Sequence, residues 1–176
     1  LTGLYLNEAD AEQGGALLVD GGGEVHISNS LISDNTAVFG GGVAVIDGSL
    51  TVSESEFESN SAADGGAIAI SDTSGSVVIQ LSTFISNNAV TEGGAIFNRG
   101  ADTKLANVTV YGSSATFGGG VFNGVDGVLS ANNITVFDNS GGRGIGVSGG
   151  EVFLSNSVVA QAQTGEISIS VTAGDL

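Results

Sequence analysis

Proline, cysteine, methionine and tryptophan are all absent from this chain of 176 residues, and its basic residues number three: Arg99, Lys104 and Arg143. Without cysteine there are no disulfides and no thiolate metal sites. Without proline, and with 30 glycines that follow no three-residue period, collagen is excluded. One histidine, His26, makes neither a multi-histidine metal site nor a catalytic triad. No apolar run reaches the roughly 18 residues of a membrane-crossing helix, so no membrane insertion by this segment is expected. Three cations against 19 acids leave a formal charge of −16. Such a surface repels phosphate backbones and anionic headgroups, which argues against nucleic acid as a partner, and it attracts cations and basic surfaces.

What is abundant is glycine, well above the average of roughly 7% of residues, together with Val, Ile, Leu and Ala. Apolar residues reach 41%, too many for a disordered chain. The glycines sit in a repeated tetrad, Gly-Gly-small-aliphatic. It occurs as Gly14-Gly15-Ala-Leu17, Gly40-Gly41-Gly-Val43, Gly65-Gly66-Ala-Ile68, Gly93-Gly94-Ala-Ile96 and Gly118-Gly119-Gly-Val121, with a degraded copy at Gly142-Arg-Gly-Ile145. The first glycines are spaced by 26, 25, 28, 25 and 24 residues (14 to 40, 65, 93, 118 and 142). An apolar-x-x-Asn motif keeps the same beat, ending at Asn35, Asn60, Asn87 and Asn139, with a weaker copy at Ser113.

Between these motifs apolar and polar residues alternate with period two, as in Val25-His-Ile27, Leu50-Thr-Val52 and Val152-Phe-Leu154. Period two means short strands, and Asp-Gly and Gly-Gly pairs mark turns. A repeat of about three short strands cannot bury both of its own faces, whereas stacked repeats form one continuous core. The expectation is therefore an all-β, right-handed parallel β-helix with about 25 residues per coil and six to seven coils. It spans 1–176 as a single domain. The glycine pairs are expected to turn tight corners and the asparagines to stack as an internal ladder. The opening residues, Leu1 to Asn7, read like the middle of a structural element, so the chain is expected to be a segment of a longer protein.

Gly65-Gly-Ala-Ile68 with Phe57-Glu-Ser-Asn60, and Gly93-Gly-Ala-Ile96 with Phe84-Ile-Ser-Asn87, resemble the repeat of chlamydial polymorphic outer-membrane proteins. Other copies drift: Ile32 or Val136 replaces the Phe, and Gly42 or Gly120 the Ala. The serine- and asparagine-rich frame is also similar to large anchored bacterial surface proteins. The resemblance implies an autotransporter-like adhesin passenger, extracellular or on the cell surface. Its partners would be a glycan or a host or cell-surface ligand. Separately, uncapped strand edges at the ends of a β-helix would let a further copy of the chain pair end to end into a filament.

β-helices also host polysaccharide lyases and hydrolases, so a carbohydrate-active enzyme is the rival expectation. Its basic residue would come from Arg99, Lys104 or Arg143. Arg99-Gly-Ala-Asp102-Thr-Lys104 brings two cations and an acid close in sequence, and surface ion pairing that relieves the acidic surface is the favoured account of them. No pair of carboxylates stands apart from the turn pattern. Asp20, Asp47, Asp72 and Asp126 follow successive tetrads and could line one edge. Stacked carboxylates would recruit Ca²⁺ through oxygen ligands, while a turn role alone explains Asp before Gly. Glu54, Glu56 and Glu58 flank an inward Phe57 and are expected to face solvent. No catalytic residue and no cofactor beyond such calcium is assigned. The leading functional expectation is a non-catalytic surface module, an acidic rod used for attachment.

Overall fold

A computed structural model describes residues 1–71 and 75–160, with the backbone of Ile169–Thr172. The described chain is all strand and turn, wound as a parallel β-solenoid. Each coil contributes four short strands, where the sequence suggests about three. The extra one comes from the Asn-x-Ala stretch, whose few residues pair only with their counterparts one coil away, as Ser61 does with Thr36 and Asn88. Four parallel sheets result. Face 1 has seven strands, from Tyr5–Asn7 to Val158–Ala160; face 2 has six, from Asp10–Gln13 to Ser140–Gly141. Face 3 has seven, from Leu17–Val19 to Ile169–Thr172; face 4 has six, from Gly23–Ser28 to Glu151–Ser155. Residues paired across adjacent coils lie between 23 and 28 positions apart, as Val128 with Glu151 and Ile68 with Ile96.

Alternation along each strand aims one set of side chains inward, and the register stacks them. Face 1 sends in Ile32, Phe57, Phe84, Val110 and Val136, all fully buried, with the Phe57 and Phe84 rings stacked at 4.9 Å. Face 3 contributes Val43, Ile68, Ile96, Val121 and Ile145, and face 4 contributes Leu50, Val77, Thr103 and Leu129. Face 2 offers Ala37, Ala62, Ala89 and Ala115, which are small enough to let this short sheet sit close to the core. The outcome is one apolar column through the described coils.

The glycine pair divides its work between two residues. The first, Gly14, Gly40, Gly65, Gly93 or Gly118, adopts φ between 58° and 66°, the left-handed corner joining face 2 to face 3. The second faces the next coil: a Cβ on Gly15, Gly41 or Gly66 would stand 2.1–2.2 Å from a glycine carbonyl oxygen there. In the degraded sixth copy the left-handed residue is Gly141, one position earlier than the tetrad pattern implies. Two further corners per coil also turn through left-handed residues. Face 4 meets face 1 at Asn29, Asn107, Asn133 and Asn156 among others, and face 1 meets face 2 at Glu8, Asp34, Ser59, Ser86, Gly112 and Asp138.

Candidate functional site

At the corner between faces 1 and 2 the residue after the left-handed one points inward. Asn35, Asn60 and Asn87 are fully buried there, and Asn139 nearly so. Asn35 Nδ2 donates to Asn60 Oδ1 at 2.9 Å, and Asn60 Nδ2 to Asn87 Oδ1 at 3.0 Å. The carboxamide oxygens of Asn60 and Asn87 also accept the backbone N–H of the preceding coil's asparagine, that of Asn35 accepts Ala9 N–H, and each Nδ2 donates to a carbonyl of the preceding coil, as Asn60 does to Ile32. Ser113 continues the column: its Oγ accepts from Asn87 N–H, and its own N–H donates to Asn139 Oδ1. The column satisfies buried backbone groups and leaves no accessible chemistry. A second, shorter polar column, absent from the sequence reading, holds Asn98 and Asn123. Asn98 Nδ2 donates to Asn123 Oδ1 at 2.7 Å. Both follow an aliphatic-Phe pair, Ile96-Phe-Asn98 and Val121-Phe-Asn123, a local repeat that could have signalled it.

The turn aspartates do not form one column. Gly23 pairs with Gly48, but Asp20 stands three residues before the first and Asp47 immediately before the second. Asp126 lies two residues before Val128, whose neighbours across the rungs are Asp102 and Glu151. A longer turn offsets Asp20, whose Oδ1 accepts its own turn's Gly21 N–H at 2.7 Å, and Gly100 fills the register position of Asp47 and Asp126 in the coil before Asp126. Asp72 lies outside the described residues. Among the described residues no three His, Asp or Glu side chains gather in a metal-holding group. Of the three cations, one meets the ion-pair expectation. Arg99 pairs with Glu92 at 4.0 Å, whereas among the described residues Lys104 and Arg143 have no ion-pair partner. Strand alternation sets Asp102 and Lys104 side by side on the outside of face 4, with Arg99 around a corner on face 3.

Among the described residues, the side chains whose ionisation the fold perturbs are two that the sequence did not single out, Asp64 and Glu92. Each immediately precedes a glycine pair, and the register sets them on adjacent rungs at the end of face 2. Phe39 precedes them in this column and Phe117 follows. Partial burial raises the pKa of both. Glu92 is raised further by the Asp64 charge, while Arg99 opposes the rise in each. Asp64 Oδ1 is buried and without a hydrogen-bond partner. Beside the pair, on the outer side of face 3, lie Phe97 and Phe122, stacked at 5.9 Å, with Phe39 edge-on to Phe97 at 5.7 Å. The Arg99 guanidinium covers the Phe97 ring at 5.5 Å. This flank is a small second apolar cluster outside the main core, rimmed by two acids and a cation. The sequence signal was available: an acid before Gly-Gly in two successive repeats, where other repeats carry Gln13, Phe39 or Phe117.

Glu54 is exposed at a corner, and Glu56 and Glu58 are half-buried on the outside of face 1, flanking the buried Phe57. His26 is exposed on face 4, its Nε2 3.1 Å from Glu24 Oε1. Comparison with protein-family models, with curated proteins and with solved structures finds no match for the chain.

Proposed function

We propose that the protein is a non-catalytic attachment module, an acidic rod whose long outer faces engage a partner outside the cell or at its surface. The observation that carries this reading is the repeated exposure of large apolar side chains on a highly charged solenoid. Tyr5, Leu81, Val90, Phe117, Phe153 and Val158 are each more than half exposed, and Tyr111 stacks on Phe137 at 5.9 Å on the outside of face 1. Side chains held in register on a rigid surface lose little entropy on binding, which favours recognition by faces rather than by a cleft. The resemblance of the Gly-Gly-Ala-Ile and Phe-x-x-Asn copies to polymorphic outer-membrane proteins supports an adhesin-like, extracellular setting.

A second reading, a carbohydrate-active enzyme, is favoured by the Asp64–Glu92 pair. The register sets the two acids on adjacent rungs, and a pair of neighbouring carboxyls is what glycoside hydrolysis requires. One experiment divides the two. The purified protein, with Ca²⁺ present, is incubated with neutral and acidic polysaccharides and the mixture is run on size-exclusion chromatography. Polymer that elutes intact, alone or with the protein, supports the attachment reading. Shortened polymer sinks it, and loss of that cleavage in Asp64→Asn would assign the chemistry to the pair.

A further inference from the structure

At the corner from face 4 to face 1, two side chains go against the backbone they sit on. The corner places one residue per coil in the left-handed region: Gly3, Asn29, Glu54, Leu81, Asn107, Asn133 and Asn156. Glycine and asparagine accept that geometry readily, and a glutamate or a leucine does not. The two exceptions occur in adjacent coils, and both line one open groove of about 610 Å³. Its other prominent walls are Tyr5, Leu31, Glu56 and Thr83, which the register stacks as successive rungs of face 1. Tyr5 is 61% exposed and Leu81 54%. Tyr5 and Leu31 therefore make one apolar end and Leu81 the other, with Glu54 and Glu56 between them. Neither carboxylate has an ion-pair partner among the described residues.

We propose that this groove docks an extended, basic and partly apolar peptide segment of a partner protein. The proposal rests on the attachment reading and names its partner class and place. Charge selects the occupant: two unpaired carboxylates at the centre of the groove lie in the field of a chain carrying −16, which draws cations in and repels anionic polymers. Length fits as well. The lining spans four coils, or three rung spacings of about 4.8 Å, which four to five extended residues cover at about 3.3 Å each. Apolar side chains of the segment would rest on Tyr5, Leu31 and Leu81, and a lysine or arginine would meet Glu54 and Glu56.

The test is fluorescence anisotropy of a labelled octapeptide of alternating lysine and leucine, at about 0.15 M salt to screen distant charges. Controls are the alternating Lys–Ser and Glu–Leu octapeptides and a glucosamine oligosaccharide. The informative variant is Leu81→Asn. It installs the residue four other coils use at this corner and leaves the charge unchanged, so it is expected to melt at or above the wild-type temperature. It should weaken Lys–Leu binding about tenfold or more, as should Glu54→Gln with Glu56→Gln, while Glu151→Gln on face 4 leaves it unchanged. Equal binding by wild type and Leu81→Asn would mean general attraction to an acidic rod and would overturn the proposal. Equal or tighter binding of the Lys–Ser peptide or of the glucosamine oligosaccharide would overturn it too. Surface attachment by wild-type protein that persists in Leu81→Asn would remove the groove and leave the attachment reading standing.

Discussion

The two corners that bracket face 1 are built alike and behave differently. At both, a left-handed residue is followed by an inward polar side chain in the early coils: Ser30, Ser55 and Ser82 at one, Asn35, Asn60 and Asn87 at the other. The serine hydroxyl donates within its own coil, as Ser55 Oγ does to Ser53 O at 2.8 Å, and accepts one N–H from the coil before, Ser30 N at 3.2 Å. It joins two coils. Asparagine does more. Asn60 accepts from Asn35 in the coil before, donates back to Ile32 O there, and donates onward to Asn87 in the coil after. It joins three. That difference in reach explains why the serine column gives way to the buried apolar residues Val108 and Ile134 while the other stays polar through Ser113 to Asn139. A serine hydroxyl serves few groups, so an aliphatic side chain can take its place. Each asparagine leaves several buried backbone groups stranded if removed.

The comparison breaks if the two substitutions below cost the same. Asn60→Ala is expected to be the most damaging change, destabilising the protein by about 3 kcal/mol, because Asn35 N–H and Ile32 C=O lose their partners inside the core. Ser82→Ala, which removes the hydroxyl bonded to Gln80 O and to Ser55 N–H, should cost about 1 kcal/mol. Urea unfolding of both variants beside wild type measures the gap directly.

A third interior position sharpens the point from the opposite side. Thr103 stands in the inward column of Leu50, Val77 and Leu129, 1% exposed, and its Oγ1 has no hydrogen-bond partner. A polar group that serves no ladder should lower stability. Thr103→Val keeps the shape and removes the stranded hydroxyl, so it is expected to raise the urea midpoint, by about 1 kcal/mol of stability. A loss of stability on this change would show that burial without a partner is tolerated here, and the argument from partner count would fail.

The sequence revealed most of this scaffold and little of its outer surface, for a physical reason. Inward positions repeat because every coil presents the same neighbours above and below. The beat of Gly65, Gly93 and Gly118, and of Asn35, Asn60 and Asn87, therefore marks corners and columns in the sequence itself. Strand number was harder to read, since the second strand of each coil is two to five residues long and carries at most one fully inward alanine, such as Ala62 or Ala89. Outer positions obey no such repetition. Asp20, Asp47 and Asp126 look equivalent in the sequence, yet a longer turn offsets Asp20, and Gly100 fills the register position of Asp47 and Asp126 in the coil before Asp126. Asp64 and Glu92 drew no notice as isolated acids, and only the register reveals them as neighbours.

That acidic pair supplies the smallest expected effect and the one whose sign is most telling. At the third corner a polar side chain sits near the core without a ladder, as Thr103 does, but here it ionises. Desolvation lifts Asp64 above its ordinary pKa of 3.8, and desolvation with the Asp64 charge lifts Glu92 above 4.5. A carboxyl with a higher pKa folded than unfolded holds its proton more tightly in the native state. Its ionisation therefore opposes folding above the folded pKa, and the penalty fades as pH falls through that value toward the ordinary one. Asp64→Asn should accordingly raise the melting temperature at neutral pH. Both residues are only half-buried and solvent screens their charges, so the gain should be only about half a kcal/mol. The gain should shrink as pH is lowered and vanish below the ordinary pKa, where the wild-type carboxyl is protonated in both states. A gain that persists unchanged at acid pH would mean the substitution acts through packing or new hydrogen bonds. A loss at neutral pH would mean that Arg99 and the Glu92 backbone more than offset the burial of the charge, and that this corner, like the asparagine corner, is held together by its polar contacts.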